Sequence, residues 1–271
     1  MMLVLKALFL GIVQGITEFL PVSSSGHLIL FERAFGWSQL GLSFNVAVHL
    51  GTLLAVLAYF RHAWARVIRG FFLSFRHKPA EWDLDMRMAW MLVLASIPAA
   101  VVGAAWGDTI EGHTSTPFWV AVFLVAGSLV MLAAERWGRR ERSILQVSMR
   151  DAGVVGCAQV LALLPGTSRS AITISAGMLD GLERKAAAEF AFLMSAPIIA
   201  GAGIWEGQKV VRHGFGPAGT GVFVVGFLAS AVTGFLAVGF MMRYLKTGTL
   251  NPFVVYRLAL AGLVFLILVV T

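Results

Sequence analysis

The stretch Leu164-Pro165-Gly166-Thr167-Ser168-Arg169-Ser170 decides how the rest of the chain is interpreted, because it places a guanidinium inside a strongly apolar sequence. An arginine at membrane depth costs free energy unless an anion needs it, so Arg169 is a candidate functional residue. A second polar stretch, residues 14–27, carries Glu18 and a run of serines between equally apolar segments. Together the two stretches predict one site that handles phosphate.

Composition indicates an integral membrane protein. Of the 271 residues, 58% are hydrophobic and 13% are charged, with a mean hydropathy of +0.83, whereas soluble domains carry about 25% charged residues. The net charge of +7 would suit nucleic acid, but the basic residues fall in short loops between apolar runs. Such residues orient a chain against an anionic membrane surface, so we expect a lipid bilayer as partner and no nucleic acid. Cys157 is the only cysteine, which excludes an internal disulfide.

Six apolar runs are long enough to cross about 30 Å of hydrocarbon, which takes roughly 20 helical residues. These predicted spans are residues 43–60, 88–106, 118–135, 188–206, 219–240 and 252–270. The fold class predicted from them is an all-α integral membrane protein with six transmembrane helices.

Two further segments are too short to span and are predicted to form re-entrant helical hairpins. Each has a short apolar arm, then Leu-Pro and a hydroxyl cluster, then a second arm. Proline ends one helix and the hydroxyl residues cap the next, so each cluster is the tip of a hairpin. The first hairpin covers residues 2–35, with arms 2–13 and 28–35, and the second covers residues 152–179, with arms 152–164 and 171–179.

The two tips repeat each other. Leu20-Pro21-Val22-Ser23-Ser24 aligns with Leu164-Pro165-Gly166-Thr167-Ser168 at a constant offset of 144 residues. Each half of the chain then holds one hairpin and three spans, and since three is odd the second half is inverted in the membrane. The predicted organisation is one membrane domain, residues 1–271, with inverted-repeat halves at approximately 1–137 and 150–271.

Loop charges support this topology. Residues 61–87 hold six Lys or Arg residues and 136–150 hold five, whereas 107–117 holds none. The positive-inside rule makes the two basic loops cytoplasmic, which places the first hairpin on the outer side and the second on the inner side. Their tips are then expected to meet near the midplane.

The meeting of the tips predicts an anion site. The helix after each tip offers free N–H groups and a positive dipole end, and Arg169 adds a cation suited to phosphate. Thr173, near the start of the second of these helices, could either bind the anion or donate to a carbonyl of its own helix. The expected phosphate-binding residues are Ser23, Ser25, Gly166, Thr167, Ser168, Ser170 and Thr173.

Ser24 and His27 are the expected nucleophile and base. They are three residues apart, so they share a face of the first helical turn, and a hydroxyl beside an imidazole is the minimum for an activated nucleophile. Glu18 lies on the arm leading into the same tip, one turn after Gln14. These two residues could hold a divalent cation through oxygen atoms, or Glu18 could orient His27.

At these residues the chain resembles the undecaprenyl-diphosphatase family, also called the bacitracin-resistance family. The resemblance rests on Gln14-Gly15-Ile16-Thr17-Glu18-Phe19-Leu20-Pro21-Val22-Ser23-Ser24-Ser25-Gly26-His27 and on Pro165-Gly166-Thr167-Ser168-Arg169-Ser170-Ala171-Ile172-Thr173, and it extends over nearly the whole chain. The family has Glu or Gln at the first acidic position, and this chain has Gln14.

The resemblance implies a reaction and a location. The family removes the terminal phosphate of the C55 isoprenyl diphosphate carrier, at the outer face of the bacterial plasma membrane, and requires Mg²⁺ or Ca²⁺. Carried over to this chain, it implies an isoprenyl diphosphate lipid substrate, a role in cell-wall synthesis and bacitracin resistance, and Glu18 with Gln14 as candidate metal ligands.

Three mechanisms stay open at this point. In the first, Ser24 attacks the terminal phosphorus, His27 takes its proton, and Arg169 with backbone N–H groups stabilises the equatorial oxygens. In the second His27 is the nucleophile, and in the third a metal-bound water attacks.

The alternative from another class is a secondary transporter of an anionic substrate, because inverted repeats with broken helices describe many transporters. A permease, however, needs no nucleophile beside a base. The glycine pairs Gly11/Gly15 and Gly103/Gly107 predict close helix packing, either within the chain or in a homodimer.

Overall fold

The computed structural model describes residues 1–37, 41–213 and 219–270, and the regular structure in these ranges is helical apart from one isolated β-bridge between Arg142 and Leu182. The helices are α1 Met2–Phe19, α2 Ser24–Phe35, α3 Gly41–Tyr59, α4 Arg61–Ser74, α5 Leu84–Thr114, α6 Pro117–Trp137, α7 Met149–Gln159, α8 Arg169–Leu179, α9 Arg184–His213, α10 Thr220–Tyr244 and α11 Asn251–Val270. Three short 3₁₀ helices cover Pro79–Glu81, Ile144–Gln146 and Val160–Leu163.

Six helices of the described chain are long and apolar enough to cross a membrane, and a seventh span is reached if a bent helix pair is included. The six are Met2–Phe19, Leu84–Thr114, Pro117–Trp137, Arg184–Ile204, Thr220–Tyr244 and Asn251–Val270. A multi-pass helical membrane protein is therefore confirmed. Five of these helices match, to within two residues at any overhanging end, the spans predicted at 88–106, 118–135, 188–206, 219–240 and 252–270.

Helix α1 differs from its prediction, since it is one continuous helix, Met2–Phe19, rather than a short arm ending at residue 13. The arm length was wrong because Gln14 and Glu18 do not interrupt the helix. They lie one turn apart, and the Gln14 amide donates to the Glu18 carboxylate at 2.9 Å. Both side chains are buried inside the protein, so neither exposes polar atoms to lipid.

Two other boundaries also differ. The span predicted at 43–60 ends at a bend of 87°, where Phe44–Tyr59 gives way to the basic helix Arg61–Ser74. Helix α5 continues to Thr114 and takes in most of the loop predicted at 107–117. Hydropathy marks where apolar residues stop, whereas a helix continues as long as its backbone bonds are made.

Both tips turn into their second helix through a serine with the same unusual backbone. Ser23 caps α2 with a φ of 76° and accepts a hydrogen bond from the Gly26 amide at 3.2 Å. Ser168 caps α8 with a φ of 73° and accepts from the Ala171 amide at 3.3 Å. The hydroxyl capping predicted from the sequence is therefore confirmed at both tips.

The shared caps correct the alignment of the tips by one residue. Ser23 corresponds to Ser168 in conformation, so the structural offset is 145 residues, since the second tip has one more residue between its proline and its cap. Arg169 consequently occupies the position of Ser24, the first residue of the helix. The two side chains are thus presented from equivalent points of the two tips.

Glycines bring α1 close to α10. A Cβ added at Gly11 would lie 2.6 Å from the Gly226 carbonyl, and one at Gly15 would lie 2.6 Å from the Ser230 carbonyl. The predicted packing role of this pair is confirmed within the chain. A Cβ at Gly107, by contrast, would meet no atom within 4 Å among the described residues, so its pair with Gly103 does not pack in this way.

An ion cluster at the basic loop fixes the base of α7 and α8. Arg142 donates to both oxygens of Asp151, at 2.8 and 2.5 Å, and to the Asp180 carbonyl at 2.6 Å. Burial alone would raise the pKa of Asp151, but hydrogen bonds from Arg142 and Ser148 outweigh burial and lower the pKa to about 2. The carboxylate therefore stays charged at neutral pH and ties the loop to both helices.

Candidate active site

The two polar stretches meet at the carboxylate of Glu18, whose side chain is only 4% exposed. Its Oε2 atom accepts from Gln14 Nε2 at 2.9 Å and from Ser24 Oγ at 2.5 Å. Its Oε1 atom accepts from Arg169 Nη2, which reaches across from the second tip. The candidate nucleophile and the candidate phosphate-binding cation therefore share one carboxylate.

A second contact joins the tips directly. The Ser170 hydroxyl donates to the Leu20 carbonyl at 3.0 Å, and it also lies 3.2 Å from the Ser168 hydroxyl. Because one bond runs to backbone, this contact depends on the path of the first tip and not on its side chains.

Arg257 of α11 is completely buried and forms hydrogen bonds to both tips. Its guanidinium donates to the Pro21 carbonyl of the first tip at 3.3 Å, and to the Gly166 and Thr167 carbonyls of the second tip, each at 3.0 Å. Further bonds reach α6 at the Leu124 carbonyl and the Ser128 hydroxyl.

The position of Arg257 near the end of a predicted span favours an interfacial anchor, but its complete burial shows that this interpretation is wrong. The signal that could have corrected it is the argument applied to Arg169, since an arginine within an apolar helix needs acceptors. In the described residues those acceptors are carbonyls and a hydroxyl with no carboxylate among them, so the buried charge adds positive potential beside the tips.

Gly127 of α6 leaves the space that this arginine occupies. A Cβ there would lie 2.6 Å from the Thr167 carbonyl and would collide with the Arg257 guanidinium. Gly127→Ala is therefore expected to lower the thermal unfolding midpoint in detergent by roughly 3–10 °C, the usual cost of overpacking. Gly153→Ala is the matched control, since its Cβ would meet nothing within 4 Å. Equal midpoints for both variants would contradict the role of the Arg257 contacts.

The carboxylate lies on a cavity of about 320 Å³. The polar lining residues are Glu18, Ser24, Ser25, Asn45, His49, Gln159, Ser168 and Arg169. The remaining lining residues are Val46, Ala99, Ala162, Leu163, Ile198, Ile199, Ala202 and Gly203. The cavity thus combines a cationic and hydroxylated end with apolar walls, a combination suited to a ligand with an anionic head and an apolar chain.

His27 is not placed as the sequence argument expected. Its Nδ1 atom donates to the Ser23 carbonyl at 2.7 Å, and its Nε2 atom lies 2.6 Å from the Tyr256 hydroxyl. The Tyr256 ring also stacks on the imidazole, with centroids 5.7 Å apart. Ser24 thus bonds Glu18 of α1 and His27 bonds Tyr256 of α11, so the structure places the two side chains with different partners and their joint catalytic role stays a prediction.

His49 of α3 is the imidazole that faces the cavity. Its Nδ1 atom donates to the Asn45 carbonyl at 2.6 Å, which leaves Nε2 toward Glu18, 3.8 Å from Oε2. Asn45 and His49 lie early in a predicted span, a position that favours packing between helices, with the cavity as the alternative. In the structure both side chains line the cavity.

The other predicted phosphate-binding residues divide into two groups. Ser25 and Ser168 line the cavity beside Arg169. The rest serve the tips themselves in the contacts described: Ser23 caps α2, Ser170 bonds the first tip, Gly166 and Thr167 accept from Arg257, and Thr173 donates to the Arg169 carbonyl at 2.8 Å. Thr173 therefore takes the alternative of bonding its own helix.

The oxygen ligands for a divalent cation are few but chemically suitable. Glu18 is the only carboxylate that lines the cavity, and the described residues contain no group of three His, Cys, Asp or Glu side chains that could hold a metal. The Gln14 Oε1 atom is buried, and no residue in the described part of the chain gives it a hydrogen bond. One carboxylate and one amide oxygen fit a hard cation that takes its other ligands from phosphate and water, as Mg²⁺ commonly does.

The fold and the site define a class: an integral membrane protein with a cavity lined by a carboxylate, a guanidinium and serine hydroxyls where its two polar stretches meet. Comparison with known proteins gives the family. The chain belongs to the bacitracin resistance protein BacA family, whose sequence profile matches residues 7–263.

Curated relatives agree over nearly the full length. The undecaprenyl-diphosphatase of Rubrobacter xylanophilus is 46% identical over 267 residues, covering 97% of this chain and 98% of that protein. The undecaprenyl-diphosphatase of Thermomicrobium roseum is 45% identical over 273 residues, covering 97% of each chain. That of Moorella thermoacetica is 44% identical over 263 residues, again covering 97% of each.

Proposed function

We propose that this chain is a membrane phosphatase that hydrolyses undecaprenyl diphosphate to the monophosphate and so recycles the lipid carrier of cell-wall synthesis. The family and the names of its relatives support this reaction and give the transporter alternative no support. The structural observation that carries it is the Glu18 carboxylate, which accepts from both Ser24 and Arg169 on one cavity.

Ser24 is the proposed nucleophile, with Glu18 as its base. The hydroxyl already donates to the carboxylate at 2.5 Å, so attack on the terminal phosphorus can deliver the proton to Glu18 as the Oγ–P bond forms. The bond from phosphorus to the bridging oxygen breaks, and the isoprenyl monophosphate leaves with that proton. Water, deprotonated by Glu18, then attacks the phosphorus, the P–Oγ bond breaks to release orthophosphate, and Glu18 returns the proton to Ser24 Oγ.

Arg169 is proposed to stabilise the charge that phosphoryl transfer places on the equatorial oxygens. Only its Nη2 atom bonds Glu18, and no acceptor lies on Nε or Nη1 among the described residues, so both remain available to a phosphate. The caps of α2 and α8 add backbone N–H groups at the same end of the cavity.

His27 is a positioning residue in this proposal. Because both of its nitrogens bond other groups and it does not line the cavity, attack by His27 is the less supported mechanism. A divalent cation, Mg²⁺ or Ca²⁺, would supply further neutralisation of phosphate charge, held by Glu18 and Gln14.

The topology proposal keeps the two re-entrant hairpins and the inverted repeat of halves 1–137 and 150–271. The matched caps at Ser23 and Ser168 support it, as do the basic loops.

We place the protein in the bacterial plasma membrane with the site accessible from the outer side. A homodimer is also proposed, with Gly107 available to a second copy because a Cβ there would meet no atom of the described residues within 4 Å.

The reaction is tested with purified protein in detergent, farnesyl diphosphate as a soluble substrate, and measurement of orthophosphate with and without EDTA. Release of phosphate that EDTA suppresses is the expected result. Folded protein that releases none with any divalent metal would overturn the proposed function and return the transporter to consideration.

A further inference from the structure

Gln159 is a buried amide in the cavity for which the described residues provide no partner. The residue is only 2% exposed, and neither its Oε1 nor its Nε2 atom has a hydrogen bond. Leaving an amide unsatisfied in the interior costs free energy, so such a group persists where a ligand satisfies it.

The position of Gln159 points to the ligand. It is the last residue of α7, just before the 3₁₀ helix Val160–Leu163 that leads into the second tip, and it lines the same cavity as Ser24 and Arg169. Arg169 approaches that cavity from the far side of the tip, at the start of α8. The two side chains therefore flank the tip along the chain.

We propose that Gln159 binds the diphosphate group of the substrate, with its Nε2 amide donating to a phosphate oxygen. This inference rests on the proposed function. Glu18 also lines the cavity, but it bonds only the Nη2 atom of Arg169, so the Nε and Nη1 donors are left for an anion, and the charge of Arg257 lies behind the tips. A phosphate oxygen is the acceptor that an anionic ligand brings. An isoprenyl chain would leave the amide unsatisfied.

Opposite effects on stability and binding distinguish this role from a structural one. Gln159→Met replaces the amide with an apolar group of similar size, which removes an unsatisfied polar group from the free protein. The thermal midpoint without ligand is expected to stay equal or rise. A side chain that held the fold would instead lower the midpoint when removed.

Binding is expected to weaken in the same variant. KM for farnesyl diphosphate should rise about tenfold or more, the usual loss for a hydrogen bond to a charged group. Farnesyl methylenebisphosphonate, which cannot be hydrolysed, should stabilise Gln159→Met less than wild type in a thermal shift experiment. Farnesol, which has no phosphate, should stabilise both proteins equally.

Ser175→Ala is the matched control. Ser175 is completely buried in α8, its Oγ atom also lacks a partner, and it does not line the cavity. Removal of this hydroxyl should leave unchanged both KM for farnesyl diphosphate and the thermal shift that farnesyl methylenebisphosphonate produces. Gln159→Leu repeats the test if the methionine variant does not accumulate.

Three results would overturn the proposal: an unchanged KM and analogue effect in Gln159→Met, an equal loss of farnesol binding, or a fall in the midpoint of the free protein. Wild-type protein that releases no phosphate would instead overturn the proposed function, so the two failures are distinguishable.

Discussion

Ser24→Ala is expected to lower turnover of farnesyl diphosphate about 1,000-fold while substrate binding is retained. Among the described residues Ser24 carries the only hydroxyl that donates to Glu18, and the variant removes it together with the group proposed to form the bond to phosphorus. The measurement is steady-state phosphate release, with binding followed by the thermal shift that the bisphosphonate analogue produces.

Ser25→Ala is the control for this variant, because Ser25 lines the same cavity and is not bonded to Glu18. We expect it to lose far less turnover, within about tenfold. Wild-type protein denatured in detergent at mildly alkaline pH, which preserves both phosphoserine and phosphohistidine, should carry phosphate on serine. A phosphohistidine would reassign the nucleophile to a histidine, and undiminished turnover in Ser24→Ala would favour attack by water.

Arg169→Lys is expected to lower turnover about 100-fold or more. A lysine keeps the charge, but its three N–H bonds radiate from a single nitrogen. They cannot span Glu18 and the equatorial oxygens as the separated Nη2, Nη1 and Nε donors of a planar guanidinium do. Arg169→Ala should be worse, since it also leaves the buried Glu18 without its ion-pair partner.

Arg150→Lys controls for the loss of a guanidinium elsewhere in the chain. Arg150 pairs with Asp180 at 2.9 Å, but its side chain is 80% exposed. Exposed pairs contribute little, so turnover should remain within about twofold of wild type. Turnover in Arg169→Lys as high as in this control would contradict direct binding of phosphate by Arg169.

The spans were predictable because their signal is local. A run of about 20 apolar residues is uncommon in soluble proteins and therefore indicates a membrane span. The hydroxyl residues that follow Pro21 and Pro165 indicate where the next helix is capped. The ends of helices were less predictable. Whether Glu18 interrupts a helix depends on what its side chain contacts, and two of its three partners come from beyond α1.

The members of the site were predictable to the extent that they stood out from an apolar background. Glu18, Ser24 and Arg169 did so, and they meet in the structure. Their pairing was not predictable, because the spacing of Ser24 and His27 indicates a shared helical face but not which neighbouring helix covers each part of it. Tyr256 of α11 bonds His27, and that contact is tertiary.

Gln159 and Arg257 were missed for a related reason. Each lies outside the motifs, at a position where a polar residue in an apolar helix has several interpretations. Burial separates those interpretations: Arg257 has a full set of acceptors, whereas Gln159 has no partner among the described residues. The number of hydrogen-bond partners around a buried side chain cannot be obtained from the sequence. That number distinguishes Arg257, a structural residue, from Gln159, a candidate substrate-binding residue.

The central claim is that the two tips touch and form one pocket, and cross-linking in native membranes tests it most directly. In a Cys157→Ser background, Leu20→Cys and Ser170→Cys are combined and treated with the shortest bifunctional methanethiosulfonate. Ser170 contacts the Leu20 backbone at 3.0 Å, so intact mass should show one bridging linker and no free thiol. Met2→Cys with Ser170→Cys is the control, since Met2 lies roughly 27 Å along α1 from Leu20. Two separately modified thiols in the Leu20 pair, as in the control, would contradict the account.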